Sequence, residues 1–179
     1  MFDLRAILKK KKVILTLCVA FVGLASTTAI LSNSLNNQSK LVAEATQYPF
    51  KLTISIEKNT YKLYEPINMT VTLKNVGEKN VTITFLSRPN PSPYWFWRVY
   101  DENDQLVFYH KAAVSVPSLE EMTLQPAQSM QQNCTWDQKA TNSEQQVSSG
   151  IYYLTAHVSF LYNEEEVLLE TRIEICIRE

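Results

Sequence analysis

The sequence predicts an all-β protein: an immunoglobulin-like antiparallel β-sandwich of about eight strands, preceded by one N-terminal transmembrane helix. Three observations lead to this. Apolar and polar residues alternate from residue 50 onward, no segment there has a helical period, and an uncharged apolar run lies near the N-terminus. Strands with one apolar face must bury it against a second sheet, so the alternation favours a sandwich, with a small closed barrel as the alternative architecture.

The alternation is clearest in residues 50–57, 67–74 and 81–85, where every second residue is apolar. Gly77 lies between the second and third of these runs, and its access to a positive φ favours a turn. Further strands are predicted on both sides of polar turns, at 94–100, 106–110, 130–136, 152–160 and 167–177.

Composition excludes several classes of function. The net charge is -1, and no basic cluster of the kind that binds nucleic acid lies in the domain. The chain has only three glycines, Gly23, Gly77 and Gly150, so it cannot build a glycine-rich loop that cradles a phosphate. We therefore expect no cofactor and no nucleic-acid partner.

No catalytic or metal-binding motif is present either. The two histidines, His110 and His157, have no ligand-spaced neighbours, and His157 has outward parity beside apolar residues. The acidic turn 101–104 lacks the glycine and glutamate of a calcium loop. We expect a protein that is not an enzyme and that holds no metal.

The N-terminus predicts a membrane tether. Residues 1–12 are basic and expected in the cytoplasm, and residues 13–31 are an uncharged apolar segment long enough to span a bilayer. A cleaved signal sequence, which would make the protein secreted, is the alternative. Residues 32–49 are predicted to be a flexible linker, and residues 50–179 the domain, outside the cell.

Parity also predicts the fate of two cysteines and one tryptophan. Cys134 and Trp136 share the inward face of one strand, whereas Cys176 lies on the outward face of another. A disulfide needs Cβ atoms about 3.8 Å apart, so Cys134 and Cys176 are predicted not to be bonded to each other. Trp136 is predicted to be a core residue.

Several segments, taken in order, resemble the BsuPI family, the intracellular proteinase inhibitor domain. The resemblance covers about residues 50–162, implies the sandwich fold and implies inhibition of a proteinase. An intracellular location disagrees with the N-terminus of this chain. The matching segments are Tyr61 with Glu65-Pro66-Ile67, residues 69–75, the hairpin 99–108, Thr123-Leu124-Gln125-Pro126, Thr135-Trp136 and Ser149-Gly150-Ile151-Tyr152.

The segment 87–97 is the candidate partner-binding loop. Prolines at positions 89, 91 and 93 fix φ and remove backbone donors, so the segment cannot be a central strand. A stiff loop with an arginine and aromatic residues suits binding, because little entropy is lost on docking. The alternative interpretation places its tryptophans in the core. The predicted contact residues are Arg88, Asn90, Ser92, Tyr94, Trp95 and Trp97.

Four Asn-x-Ser/Thr sequons occur, at Asn37, Asn68, Asn80 and Asn133. Parity places the last three on outward faces, so Asn68, Asn80 and Asn133 are the candidate glycosylation sites.

These observations predict a membrane-tethered extracytoplasmic module that binds a protein partner. The BsuPI resemblance suggests a protease as that partner, with Arg88 filling its specificity pocket. The alternative is a cell-surface adhesion or assembly module that uses its sheet faces or edges and inhibits nothing.

Overall fold

A computed structural model describes residues 40–87, 96–109 and 118–179 of the chain. These residues form strands and no helix, which confirms the all-β prediction, and none of them forms a helix that could cross a membrane. The predicted anchor 13–31 lies outside the described residues. The strands are β1 (Leu41–Gln47), β2 (Phe50–Ile56), β3 (Thr60–Lys62), β4 (Ile67–Asn75), β5 (Val81–Ser87), β6 (Phe96–Asp101), β7 (Leu106–Tyr109), β8 (Ser118–Leu124), β9 (Ser129–Trp136), β10 (Gly150–Tyr162) and β11 (Glu165–Arg178).

The strands form two sheets, as the alternation predicts. One sheet has the order β1-β2-β4-β9, and the other is built around β10. Along one side, β10 pairs with β11 over its whole length; on the other side it pairs first with β6 and then, at Leu161, with β5. β8 pairs with β5, and β7 pairs with β6. Because β11 occupies the whole of the other side of β10, β5 and β6 lie one after the other along the remaining side.

The inward faces of both sheets meet in one hydrophobic core. The Phe160 ring from β10 lies between two phenylalanines, with ring centroids 4.7 Å from Phe50 and 5.9 Å from Phe85. Trp136 has no exposed surface, which confirms its prediction as a core residue, and its Nε1 donates to the carbonyl oxygen of Lys139 at 3.0 Å.

The hairpin between β10 and β11 is tighter than expected. Asn163 and Glu164 both have positive φ, 52° and 66°, as the two central residues of a type I′ turn require. The polar turn between the predicted strands 152–160 and 167–177 is therefore two residues long, because Glu165 and Glu166 already pair with Tyr162 and Leu161.

The predicted linker is wrong over β1. Residues 41–47 pair along the whole of β2, and Ala43 and Ala45 are buried. Alanine side chains are small, so two buried alanines give only a weak apolar–polar alternation in the sequence. The strand is recognisable only through its pairing with β2. A second difference is β3, which pairs in parallel with the end of β11, whereas the other pairs among the described strands are antiparallel.

The connection around Gly77 is a crossover between sheets, because β4 and β5 lie in different sheets. Gly77 does not adopt a positive φ, contrary to expectation. Its need for glycine is steric instead: a Cβ there would lie 2.8 Å from Cβ of Pro49.

Asn75, the last residue of β4, joins this crossover to the β8–β9 turn. Its side chain is fully buried; Nδ2 donates to the carbonyl oxygens of Lys79 and Leu124 at 2.8 and 3.0 Å, and Oδ1 accepts from the backbone N–H of Gly77 at 2.8 Å. Its own N–H and C=O bond to Gln128 and Ala127. One buried amide thus holds three chain segments.

Gln138 does the same at the other end of β4. It is fully buried, and its Nε2 donates to the carbonyl oxygens of Lys62 and Glu65 at 2.9 and 2.7 Å. Its Oε1 accepts from the backbone N–H of Tyr64 at 2.9 Å. The chain after β9 is thereby tied to the turn before β4.

We predict that Asn75→Ala lowers the free energy of unfolding by about 2–4 kcal/mol, because two carbonyls and one N–H lose their partners in a buried place. Denaturant unfolding of the full chain, followed by tryptophan fluorescence, measures the change. The matched control is Asn103→Ala in the exposed 101–105 turn. Equal, small effects of both substitutions would contradict the role of Asn75.

Candidate functional site

Most of the predicted partner-binding loop lies outside the described residues. Trp97 is the one predicted contact that the structure describes, and it is only 5% exposed, with its ring stacked on Phe108 at 4.5 Å. This corrects its assignment as a partner contact: a buried ring offers no surface for docking, and the core alternative holds for this residue. The other predicted contacts, Arg88, Asn90, Ser92, Tyr94 and Trp95, lie outside the described residues.

The three candidate glycosylation asparagines are exposed, as parity predicts, whereas Asn37 lies outside the described residues. Asn68 and Asn133 lie on the outward face of the four-stranded sheet, on neighbouring strands. Oδ1 of Asn68 accepts from the Thr135 hydroxyl at 2.8 Å, and Oδ1 of Asn133 accepts from the Thr70 hydroxyl at 3.0 Å. Each sequon's threonine thus bonds the asparagine of the other sequon. Glycosylation itself stays a prediction.

Cys134 and Cys176 are both free and lie in different sheets, which confirms that they are not bonded to each other. Burial raises the pKa of the Cys134 thiol to about 11, so it is protonated at neutral pH and poorly nucleophilic. Cys176 is half-buried on the outward face of β11.

His157 has outward parity, as predicted, yet it is covered and only 9% exposed. Burial, and after it the charge of Arg98, lowers the pKa of His157 to about 4. The imidazole is therefore neutral at physiological pH. His110 lies outside the described residues, and within residues 40–87, 96–109 and 118–179 no group of His, Cys, Asp and Glu is placed to hold a metal ion.

The two outward sheet faces differ in chemistry. On the four-stranded sheet the outward positions of β2, β4 and β9 are mainly hydroxyl and amide side chains, and no aromatic residue is among them. They are Lys51, Thr53, Ser55, Asn68, Thr70, Thr72, Lys74, Ser129, Gln131, Asn133 and Thr135.

The seven-stranded sheet instead presents tyrosines and arginines. In β6, Trp97 and Val99 point into the core, so Arg98 and Tyr100 point outward. The strand register then places Arg98 and Arg172 on either side of Thr155, and Tyr100 directly opposite Tyr153. We call the four residues Arg98, Tyr100, Tyr153 and Arg172 the tyrosine–arginine face.

Contacts within this face hold its side chains in place. The guanidinium carbon of Arg172 lies 4.0 Å from the centroid of the Tyr153 ring, and Nη1 of Arg172 donates to Oδ1 of Asp104 at 3.1 Å. Nη1 of Arg98 donates to the Tyr100 hydroxyl at 3.3 Å.

Two exposed apolar side chains border the face. Leu106, which pairs with Tyr100, is 48% exposed, and Ile151, two residues before Tyr153, is 38% exposed. The face therefore combines ordered aromatic and cationic groups with an apolar margin.

The alternation of residues 97–100 could have indicated Arg98 and Tyr100, since a core Trp97 forces its neighbours outward. Arg172 and Tyr153 could not have been added from the sequence. They come from other strands, and only the register brings them beside β6.

The buried neutral His157 predicts a pH dependence. The pKa of His157 is about 4 in the folded protein and about 6.5 in the unfolded chain, so between these two pH values the unfolded chain binds more protons. The free energy of unfolding therefore falls as the pH drops from about 7 to about 4, by up to about 3 kcal/mol. His157→Gln should flatten this slope in denaturant unfolding curves measured across that range. His110→Gln, at the only other histidine, is the control; an unchanged slope in the His157 variant would contradict the assignment.

The chain has distant likenesses among solved structures. A β-glucosidase from Listeria innocua in complex with glucose is 15% identical, with a TM-score of 0.39 over 75% of this chain and 17% of that chain. The CARDB domain of a Pyrococcus furiosus protein in complex with di-metal ions is 15% identical, with a TM-score of 0.34 over 70% of this chain and 88% of that one. A Pseudomonas fluorescens alkylpurine DNA glycosylase bound to DNA is 14% identical, with a TM-score of 0.34 over 69% of this chain and 29% of that one.

Likenesses of this size carry no argument about function, and this chain spans only 17% of the length of the glucosidase. No curated protein matches the sequence. Residues 40–178 match a family of unknown function, DUF7974, from just before β1 to the last residue of β11. The chain therefore belongs to the DUF7974 family.

Proposed function

We propose that this chain is a membrane-tethered protein-binding module, an immunoglobulin-like sandwich held outside the cell, and that it binds through its tyrosine–arginine face. The single observation that carries this proposal is the face itself. It places two tyrosines and two arginines side by side on an outward sheet surface, bordered by exposed Leu106 and Ile151.

Tyrosine and arginine are the residues in which binding hot spots are enriched, because they combine a large contact area with hydrogen bonding. In this face they are already ordered: Arg172 is stacked on Tyr153 and bonded to Asp104, and Arg98 is bonded to Tyr100. Ordered side chains lose less entropy on docking. No comparable set lies on the outward face of the four-stranded sheet, whose threonine and asparagine pairs bond one another.

The tether rests on the apolar segment 13–31 and the lysines that precede it. Since β1 begins at Leu41, only residues 32–40 would separate the anchor from the sandwich. Fully extended, that segment spans about 30 Å. The domain would then stay close to the bilayer, where a partner in the same membrane or on the cell surface can reach it.

Two kinds of partner follow from this proposal. The BsuPI resemblance supports a protease, whose inhibition would be stoichiometric. The location of the tyrosine–arginine face on a sheet supports the second kind, a surface-assembly partner without inhibition. A titration of secreted and surface proteases with the full chain distinguishes the two.

Site-specific photo-crosslinking of the full chain in its native host tests the binding face. A benzophenone amino acid at position 106, on the margin of the face, should form a discrete protein adduct on irradiation of intact cells. The same amino acid at position 131, exposed on the opposite sheet, is the matched control and should form none. Equal adducts from both positions, or none from position 106, would contradict the proposed face.

Membrane topology is tested separately. Protease added to intact cells should digest the sandwich and leave a short membrane fragment that contains residues 13–31, because the domain is proposed to lie outside. A cytoplasmic marker protein must stay intact in the same sample. Protection of the sandwich until the membrane is broken would contradict the external location.

A further inference from the structure

Arg98 carries a charge that the described residues leave uncompensated. Its side chain is half-buried, and its hydrogen bond to the Tyr100 hydroxyl is not an ion pair. Within residues 40–87, 96–109 and 118–179 no carboxylate forms an ion pair with Arg98; the ion pairs there join Lys51 to Glu44, Lys58 to Glu65, Lys139 to Asp137 and Arg172 to Asp104. A guanidinium with no carboxylate beside it keeps its positive charge unbalanced, so this position attracts an incoming anion.

The rest of the chain offers almost no carboxylate for this purpose. Segments 88–95 and 110–117, which adjoin the ends of β6 and β7, contain neither aspartate nor glutamate, and residues 1–39 contain only Asp3. The segments that adjoin β6 and β7 in sequence therefore supply no carboxylate that could compete with one from another molecule.

The charged residues of the neighbouring strands also leave the Arg98 end of the face without a negative charge. The outward residues of β10 beside Arg98 are Tyr153, Thr155 and His157, and none of them is a carboxylate. The acidic residues gather on the far side, where Arg172 is paired with Asp104 and lies between Glu170 and Glu174. The positive charge without a partner is therefore at the Arg98 end.

We propose that Arg98 binds a carboxylate in an acidic segment of the partner protein, an inference that rests on the proposed function and names the chemistry of that partner. Guanidinium and carboxylate groups form paired, charge-assisted hydrogen bonds. Tyr100 holds one Nη of Arg98 and orients the remaining N–H groups, and the Tyr153 ring lies opposite Tyr100 to pack against the apolar part of the segment.

The test extends crosslinking from position 106 in the full chain. Arg98→Gln removes the charge and keeps much of the side chain's length, and should lower the adduct yield at least about tenfold, the effect of losing about 1.4 kcal/mol of binding free energy. Arg178→Gln removes an exposed arginine near the end of β11 and is the matched control, expected to leave the yield unchanged. Oligoglutamate added before irradiation should compete with the partner, and oligoglutamine should not.

Mass spectrometry of the adduct supplies the second measurement. The crosslinked peptide should contain aspartate or glutamate close to the attachment point. Arg98→Lys should restore part of the yield, which separates loss of charge from loss of folding if Arg98→Gln is unstable.

The outcomes separate the two proposals. No adduct at position 106 in the parent chain overturns the proposed function and this inference with it. An adduct that survives Arg98→Gln, or that resists oligoglutamate, overturns only the inference. Attachment to an anionic glycan or a lipid would likewise overturn the acidic protein segment.

Discussion

The ladder between β10 and β11 is the interaction on which the rest of the structure depends. It pairs every residue from Gly150 to Tyr162 with a partner from Glu165 to Ile177 across a two-residue turn. Its inward side chains form about a third of the buried apolar core, and the four-stranded sheet packs against them. Its outward side chains include Tyr153 and Arg172. The same ladder therefore fixes both the core positions and the distance between these two residues of the tyrosine–arginine face. A change of register by one residue would invert both.

Two buried amides close the sandwich at its ends. Asn75 is the last residue of β4, and Gln138 follows β9 at the other end of β4; each bonds backbone carbonyls of neighbouring turns and strand ends. Buried backbone groups that lack partners are costly, so a carboxamide that satisfies several of them supports irregular loops in an otherwise regular fold. Both residues are polar and fully buried. They stabilise the fold through hydrogen bonds to the loops, not through buried apolar area.

The two arginines of the tyrosine–arginine face differ in the partners that balance their charge. Arg172 has a ring and a carboxylate as neighbours, whereas Arg98 has only a hydroxyl. Burial keeps His157 neutral next to Arg98, so the local charge comes from one guanidinium. In the proposed binding, Arg98 would discriminate against a neutral or basic segment, because such a segment would leave it without a counter-charge.

The sequence by itself determined which residues point inward. Side chains on a strand alternate with a period of two whatever the strand pairs with, so the core positions of β2, β4, β5, β10 and β11, the burial of Trp136 and the separation of Cys134 from Cys176 could all be predicted. The polar turns were also local features. Only the tertiary structure revealed β1, because its alanines do not produce a clear alternation in the sequence. It also revealed the crossover in which a side chain at position 77 would clash with Pro49. Strand pairing is a contact between residues distant in sequence, so the face that Arg98 and Tyr100 form with Tyr153 and Arg172 was decided by register alone.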